Sequence, residues 1–517
     1  MHTYVEVAQN PRGVFSSSEE SGSGSDTESE YGEDDSPMED RPTNKALLLV
    51  DDALADDERV YRGLPISSLL SNIFPVGGLT TVQPPSDDTY ALSRSLSNNA
   101  RISGFLSHSW RSKPMYKYLT LLYIYNARPA LVMGHVVALM SLLTRLWRPA
   151  DSFLATDGGV PGGKFCVALL PFYCGTVAQF VMLFFGHIVL APFRKKQTVF
   201  LDKCCIHQTD EKLKAVGINS IGGFLACSDR MVILWDRDYF ERLWCVFELA
   251  AYTHHLEVEG LRPEEKVMTV PLAVGVFAVA MALIVVLGCL LSVFGLMYME
   301  EFVDLAHTRA YYYPFYAIGT TPIFLPKYLF CHWSVLYRRD MSTQIRGFQV
   351  GQAKVFDERD RARVNRSICA WFGSLPTFDA YVQKSLQDIV QMTLGTDRQV
   401  VPYFAVLFEN AGTCYLMAYG GLLGSSDFET ACRVMTGGLM EHLVWNPLFL
   451  YSLNNLAWIS IDLPWSTTAK NVFRGVSLVA LGSTMPLLFD FAANAPLWAL
   501  PVLVLVGAVK VLCAYAR

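Results

Sequence analysis

Hydrophobic residues in this chain gather into two kinds of run. The short runs end abruptly in polar residues: ISGFLS at 102–107 gives way to His108 and Ser109, TVFLD at 198–202 to Lys203, and MVILW at 231–235 to Asp236. A short apolar run bounded by polar residues is the pattern of a buried strand. Residues 116–125, 217–226 and 239–252 read as helices between and after them. Strands alternating with helices predict a parallel, doubly wound sheet.

The long runs fall at 128–147, 166–193, 270–298, 311–337, 402–424, 443–463, 476–489 and 498–515. Most approach the ~20 residues that cross a hydrocarbon core as a helix, so they predict a polytopic α-helical membrane domain of about eight spans. Flanking charge sorts by side. Arg194, Lys195, Lys196, Arg338, Arg339, Lys470, Arg474 and Arg517 fall on one side, and Glu300, Glu301, Asp304, Asp427 and Glu429 on the other. By the positive-inside rule this places both termini and the α/β module in the cytosol of a multi-pass membrane protein.

Composition sharpens the division. Hydrophobic residues make up 52% and charged residues 17% of the chain, and mean hydropathy is +0.27. The acid behind the net charge of -6 is concentrated in SSSEESGSGSDTESEYGEDDSPMEDR at 16–41. Such a stretch cannot bury enough apolar surface to order itself, so 1–98 is expected to be a disordered acidic tail and linker. The 12 cysteines show no regular spacing and read as reduced thiols. No basic start followed by an apolar stretch marks a cleavable signal peptide.

Joining Asn126 to Arg194 removes the first two expected spans. One contiguous pattern remains: GFLSHSWR, VFLDKCCIHQ, SDRMVILWD and YFERLWCVFEL. These residues resemble the Toll/interleukin receptor (TIR) domain family over 104–252, less the inserted hairpin. FLSHS is similar to its first strand and polar loop, VFLD to its second strand, and Trp244, Cys245, Glu248 and Leu249 to its Trp-Cys-x-x-Glu-Leu helix. The resemblance implies a flavodoxin-like α/β module at 99–127 and 194–256, interrupted by a hairpin at 128–193. It would be followed by spans at 268–337, a basic helical segment at 338–400 and further spans at 401–517.

The resemblance also implies a chemistry. Enzymes of the family cleave the nicotinamide–ribose bond of NAD, so Glu248 is the catalytic candidate: a carboxylate near the ribose stabilises positive charge on the sugar. Ser107, His108, Ser109 and Trp110 follow a strand's carboxyl end, where doubly wound folds bind ligands. With Asp202 and Trp244 they are the candidate nucleotide-binding residues. NAD enters as a substrate, and no prosthetic group is expected. Bland roles stand beside these: a solvent-facing Glu248, a surface His108, a core Trp244, and an Asp202 that shapes its loop.

Cys204, Cys205 and His207 suggest a metal, but adjacent cysteines on a strand point to opposite faces, so none is expected. Expected partners are a lipid bilayer and other copies of the TIR-like module, and no nucleic acid. Two other functions remain open. One is a non-enzymatic interaction scaffold. The other is a channel or transporter regulated by the module, suggested by Glu409, Asn410, Asn454 and Asn455 inside apolar runs.

Overall fold

The computed structural model describes residues 60–73, 87–97, 100–147, 170–194, 197–280, 309–355, 358–394 and 446–482, with 283, 287 and 444. The elements in chain order are β1 (Arg62–Pro65), α1 (Ile66–Ile73), α2 (Asp87–Ala91), β2 (Arg94–Ser95), β3 (Gly104–His108), α3 (Pro114–Trp147) and α4 (Leu170–Val189). Then come β4 (Thr198–Phe200), α5 (Asp202–Cys205), α6 (Glu211–Asn219), α7 (Ile221–Ala226), β5 (Met231–Trp235), α8 (Leu243–Val258), α9 (Pro263–Lys266) and β6 (Val267–Pro271). Helices α10 (Arg309–Arg346), α11 (Glu358–Phe372), α12 (Leu375–Leu394), α13 (Asn446–Asp462) and α14 (Thr467–Gly482) follow.

The strands form one six-stranded sheet in the order β2-β1-β4-β3-β5-β6. Strand β3 lies parallel to β4, with Phe105 opposite Phe200, and parallel to β5, with Ser107 opposite Ile233. Strand β6 continues the parallel set beyond β5, whereas β1 runs antiparallel to both β4 and β2. Every residue of β3 and β5 is buried. Strands covered on both faces need continuous rather than alternating apolar sequence, which is why these segments read as unbroken runs. Phe105 stacks on Phe200 at 4.5 Å and 15°, and Phe200 meets Phe224 of α7 at 4.4 Å.

The chain leaves β3 for β4 on one side and returns past it to β5 on the other. The carboxyl ends of β3 and β5 therefore flank the switch in connection direction, where open α/β sheets form a crevice.

The long α3 and α4 pack antiparallel. Asn126 Nδ2 donates to the Leu183 carbonyl at 2.9 Å, and farther along Gly175 faces Gly134 and Ala138. A Cβ on Gly175 would fall 2.7 Å from Ala138 Cβ and 2.8 Å from the Gly134 carbonyl oxygen, so the approach requires glycine. Arg194 closes the hairpin base, donating to the Tyr125 carbonyl at 2.9 Å and to Asn126 Oδ1 at 3.3 Å.

The structure corrects several of these expectations. The sheet is mixed rather than parallel throughout, because β1 and β2, from the stretch expected to be disordered, extend its β4 edge. Residues expected to open the third span, Val270 and Pro271, instead close β6.

The eight-span membrane domain, with its multi-pass placement and cytosolic topology, is overturned: among the described residues no helix is long and apolar enough to cross a membrane. Polar groups interrupt the apolar runs. Helix α3 carries Asn126, Arg128 and His135, α10 carries a buried Lys327, and α13 carries Asn454 and Asn455. The runs at 402–424 and 498–515, with Glu409 and Asn410, lie outside the described residues, as do most of 270–298 and the end of 476–489.

Residues 338–394, expected as a separate basic segment, join the main core. Val364, Ile368, Phe378, Val382 and Leu386 belong to the same buried cluster as Phe105. Phe200 belongs to that cluster, stacked on Phe105 and in tilted contact with Phe224. Phe200→Ala should lower the free energy of unfolding by about 3–5 kcal/mol. Denaturant melts measure this, and a loss below about 1 kcal/mol would remove Phe200 from the core.

Candidate functional site

Polar residues follow the carboxyl ends of β3, β4 and β5, and one of them, Ser107, meets Glu248 in α8. Ser107, the penultimate residue of β3, points its hydroxyl at α8 and donates to Glu248 Oε2 at 2.6 Å. The same Ser107 Oγ lies 2.8 Å from the Tyr239 hydroxyl, in the loop leading to α8. Glu248 keeps part of its surface open, but Ser107, Tyr239 and Cys245 around it are buried. Burial pushes its carboxyl up to about 8; the Ser107 hydrogen bond opposes this, Asp202 adds to it, and Arg242 opposes it. Tyr239 is likewise raised, chiefly by burial.

Trp110 and Asp202 form a second pair. The indole Nε1 donates to Asp202 Oδ2 at 2.9 Å, and Lys203 Nζ lies 5.7 Å from the centre of a Trp110 ring. Asp202 Oδ1 also accepts the Lys203 backbone N–H at 2.7 Å. Burial still raises the Asp202 carboxyl above its ordinary range, against these bonds.

His108 and Ser109 have more structural surroundings. His108 is buried with its ring 5.7 Å from Trp110, and its Nε2 has no hydrogen-bond partner among the described residues. Burial, with Lys117 nearby, pushes its pKa down to about 3, which favours the neutral ring. Ser109 holds its loop: its Oγ accepts from Arg111 N at 3.4 Å, and its carbonyl accepts from Ser112 Oγ at 2.9 Å. Trp244 does not join the group. Its indole donates to Asp360 of α11 at 3.2 Å and its ring meets Phe247 edge-on at 5.5 Å.

Cys204 and Cys205 occupy the turn of α5 rather than a strand, and burial holds both thiols protonated. Among the described residues no group of His, Cys, Asp and Glu side chains has the arrangement to hold a metal ion.

Sequence reasoning missed Tyr239, Asp236 and Lys117. Asp236 accepts a hydrogen bond from Ser112 and directly follows β5, much as Asp202 comes two residues after β4, so the signal that marked one acid was present at the other. Lys117, on the first turn of α3, is fully buried. Burial lowers its pKa to about 8, with Asp202 and Asp236 acting in the opposite direction. Nothing in the sequence around it signals that environment. Compared with known proteins, the chain matches no family model, no curated protein and no solved structure.

The raised Glu248 carboxyl has a consequence for folding. Its pKa stands at about 8 in the folded chain against an ordinary 4.5. Between those values the folded chain holds a proton that the unfolded chain releases, so stability falls as pH rises through that window. Glu248→Gln has no such proton. Its melting temperature, relative to wild type, should therefore climb between pH 5 and 8 and level off above; parallel pH profiles would show that the carboxyl is not raised.

Proposed function

We propose that this chain hydrolyses the nicotinamide–ribose bond of NAD, with Glu248 as the carboxylate beside the ribose. The supporting observation is the Ser107–Glu248 hydrogen bond of 2.6 Å, set where the carboxyl ends of β3 and β5 flank the connection switch. Trp110 and Asp202 stand at the same end of the sheet, the aromatic face suited to a base and the carboxylate to a sugar hydroxyl.

In the reaction the C1′–N bond breaks and its electron pair leaves with the nicotinamide nitrogen. Positive charge develops on the ribose, water adds at C1′, and that water loses a proton. An ionised Glu248 next to C1′ or the ribose hydroxyls stabilises the developing charge. The ground state of the free protein works against this, since a carboxyl pushed up to about 8 is largely protonated at neutral pH. A bound pyridinium cation favours the ionised form, so substrate binding and proton release are coupled. The Ser107 hydroxyl then donates to a full negative charge, where a hydrogen bond is strongest.

This reading gives two expected results with the purified full chain. NAD is consumed with release of nicotinamide, and Glu248→Gln reduces turnover by at least about 10²-fold. The ratio kcat/KM rises with pH up to about 8 and then flattens, because it reports ionisation of the free protein. Chromatographic assay of nicotinamide checks both. NAD left intact by the wild-type chain, or unchanged turnover in Glu248→Gln, would overturn the assignment.

A further inference from the structure

The loop 236–242, which joins β5 to α8, is held on two sides. Its inner contact is the Tyr239 hydroxyl, fully buried and 2.8 Å from Ser107 Oγ. When Glu248 is ionised, Ser107 gives its one hydroxyl hydrogen to the carboxylate, which leaves Tyr239 as the donor to Ser107. The Cys245 carbonyl, 3.4 Å from the Tyr239 hydroxyl, is the weaker alternative. The order is thus Tyr239 to Ser107 to Glu248, each bond polarising the next.

The outer contact comes from residues more than a hundred positions away. Phe240 packs edge-on against Phe348 at 5.8 Å and 67°. The Lys354 backbone N–H donates to the Glu241 carbonyl, and Leu243 N donates to the Lys354 carbonyl at 3.0 Å, so Arg242 and Lys354 form a parallel bridge. The segment is anchored in turn on α12. Val350 N donates to Asp379 Oδ1 at 2.8 Å, Gln383 Nε2 donates to the Phe348 carbonyl at 3.0 Å, and Phe348 meets Phe378 edge-on. The ion pairs Arg237–Asp340 and Lys354–Glu241 also cross this boundary, but they are exposed and screened and so contribute little. The buried rings and backbone bonds set the geometry.

We infer that residues 348–355 are a positioning strap for the site: Phe348, by seating Phe240, fixes the Tyr239 hydroxyl that orients Ser107 toward Glu248. Phe348 and Tyr239 are thereby positioning residues, acting on a carboxylate they do not replace. The inference rests on the reading of Glu248 as the reacting carboxylate. Other groups that act on Glu248 are Asp202 after β4 and Arg242 in the strapped loop.

The test is a carbon NMR titration of full-length protein labelled at the glutamate carboxyls, with Glu248 identified by the signal lost in Glu248→Gln. Tyr239→Phe and Phe348→Leu should each move the Glu248 midpoint upward by about half a pH unit or more, since each weakens hydrogen bonding to the ionised form. The double variant should move no further than Tyr239→Phe alone, because both act through one hydroxyl. Asp379→Asn, which weakens only the anchor of Val350, covers the case in which Phe348→Leu does not fold, and should move the midpoint the same way. A wild-type midpoint in folded Phe348→Leu or Asp379→Asn would overturn the strap, as would additive shifts in the double variant. The readout needs no substrate. Midpoint shifts in a chain that leaves NAD intact would uphold the strap while removing the proposed reaction.

Discussion

The pairing of β3 with β4 on one side and β5 on the other is the constraint on which the rest of this molecule depends. Strand β3 supplies Ser107 to one face, His108 to the other, and the loop bearing Trp110 beyond its end. None of these would meet Glu248, Asp202 or Asp236 if β3 lay at an edge. The pairing must be made across the α3–α4 excursion, and Arg194 makes this feasible by tying the return of α4 to Tyr125 and Asn126. Once the hairpin base is closed, the sheet experiences the excursion as a short connection.

Burial, more than any single ion pair, sets the electrostatics at the carboxyl ends of these strands. Asp202, Asp236 and Glu248 are all pushed toward their neutral forms, while His108 and Lys117 are pushed toward theirs. Acids and bases displaced in opposite senses within one region give a site with little fixed net charge and several groups able to change state. A cationic ligand arriving there would find carboxyls that ionise in response, which is the chemistry a pyridinium leaving group requires.

The strands in this part of the fold were legible because burial on both faces writes itself as a plain apolar run. GFLSH, TVF and MVILW could be read directly, and Asp202 after the second was singled out, whereas Asp236 after the third was passed over. Strand β6 was not legible. VMTVP is continuous with a longer apolar stretch, and periodicity alone does not divide a buried strand from a helix. Strand β1, RGLP, is too short and too close to acidic sequence to announce itself. The membrane reading arose from run length alone: α3 and α4 pack one apolar face against each other, while Val136, Met140, Val181 and Phe185 stay exposed. Glu248 and Ser107 came from motif likeness and geometry brought them together, whereas Trp244 kept its place in the motif but faces α11. Tyr239 gave no signal, because its role depends on a hydroxyl meeting Ser107 across the sheet.

The strap also bears on how the chain acquires its structure during synthesis. Among the described residues all the strands precede residue 272, but the packing that encloses loop 236–242 comes from residues 348–390. At about 5–20 residues per second the ribosome needs on the order of ten seconds to deliver those residues after β6 has emerged. Throughout that interval Phe240 and its neighbours lack their cover, and Tyr239 lacks the outer wall that holds it against Ser107. The nascent sheet therefore passes through a stage in which its strands are all present but loop 236–242 is uncovered, and its enclosure waits on residues 348–390.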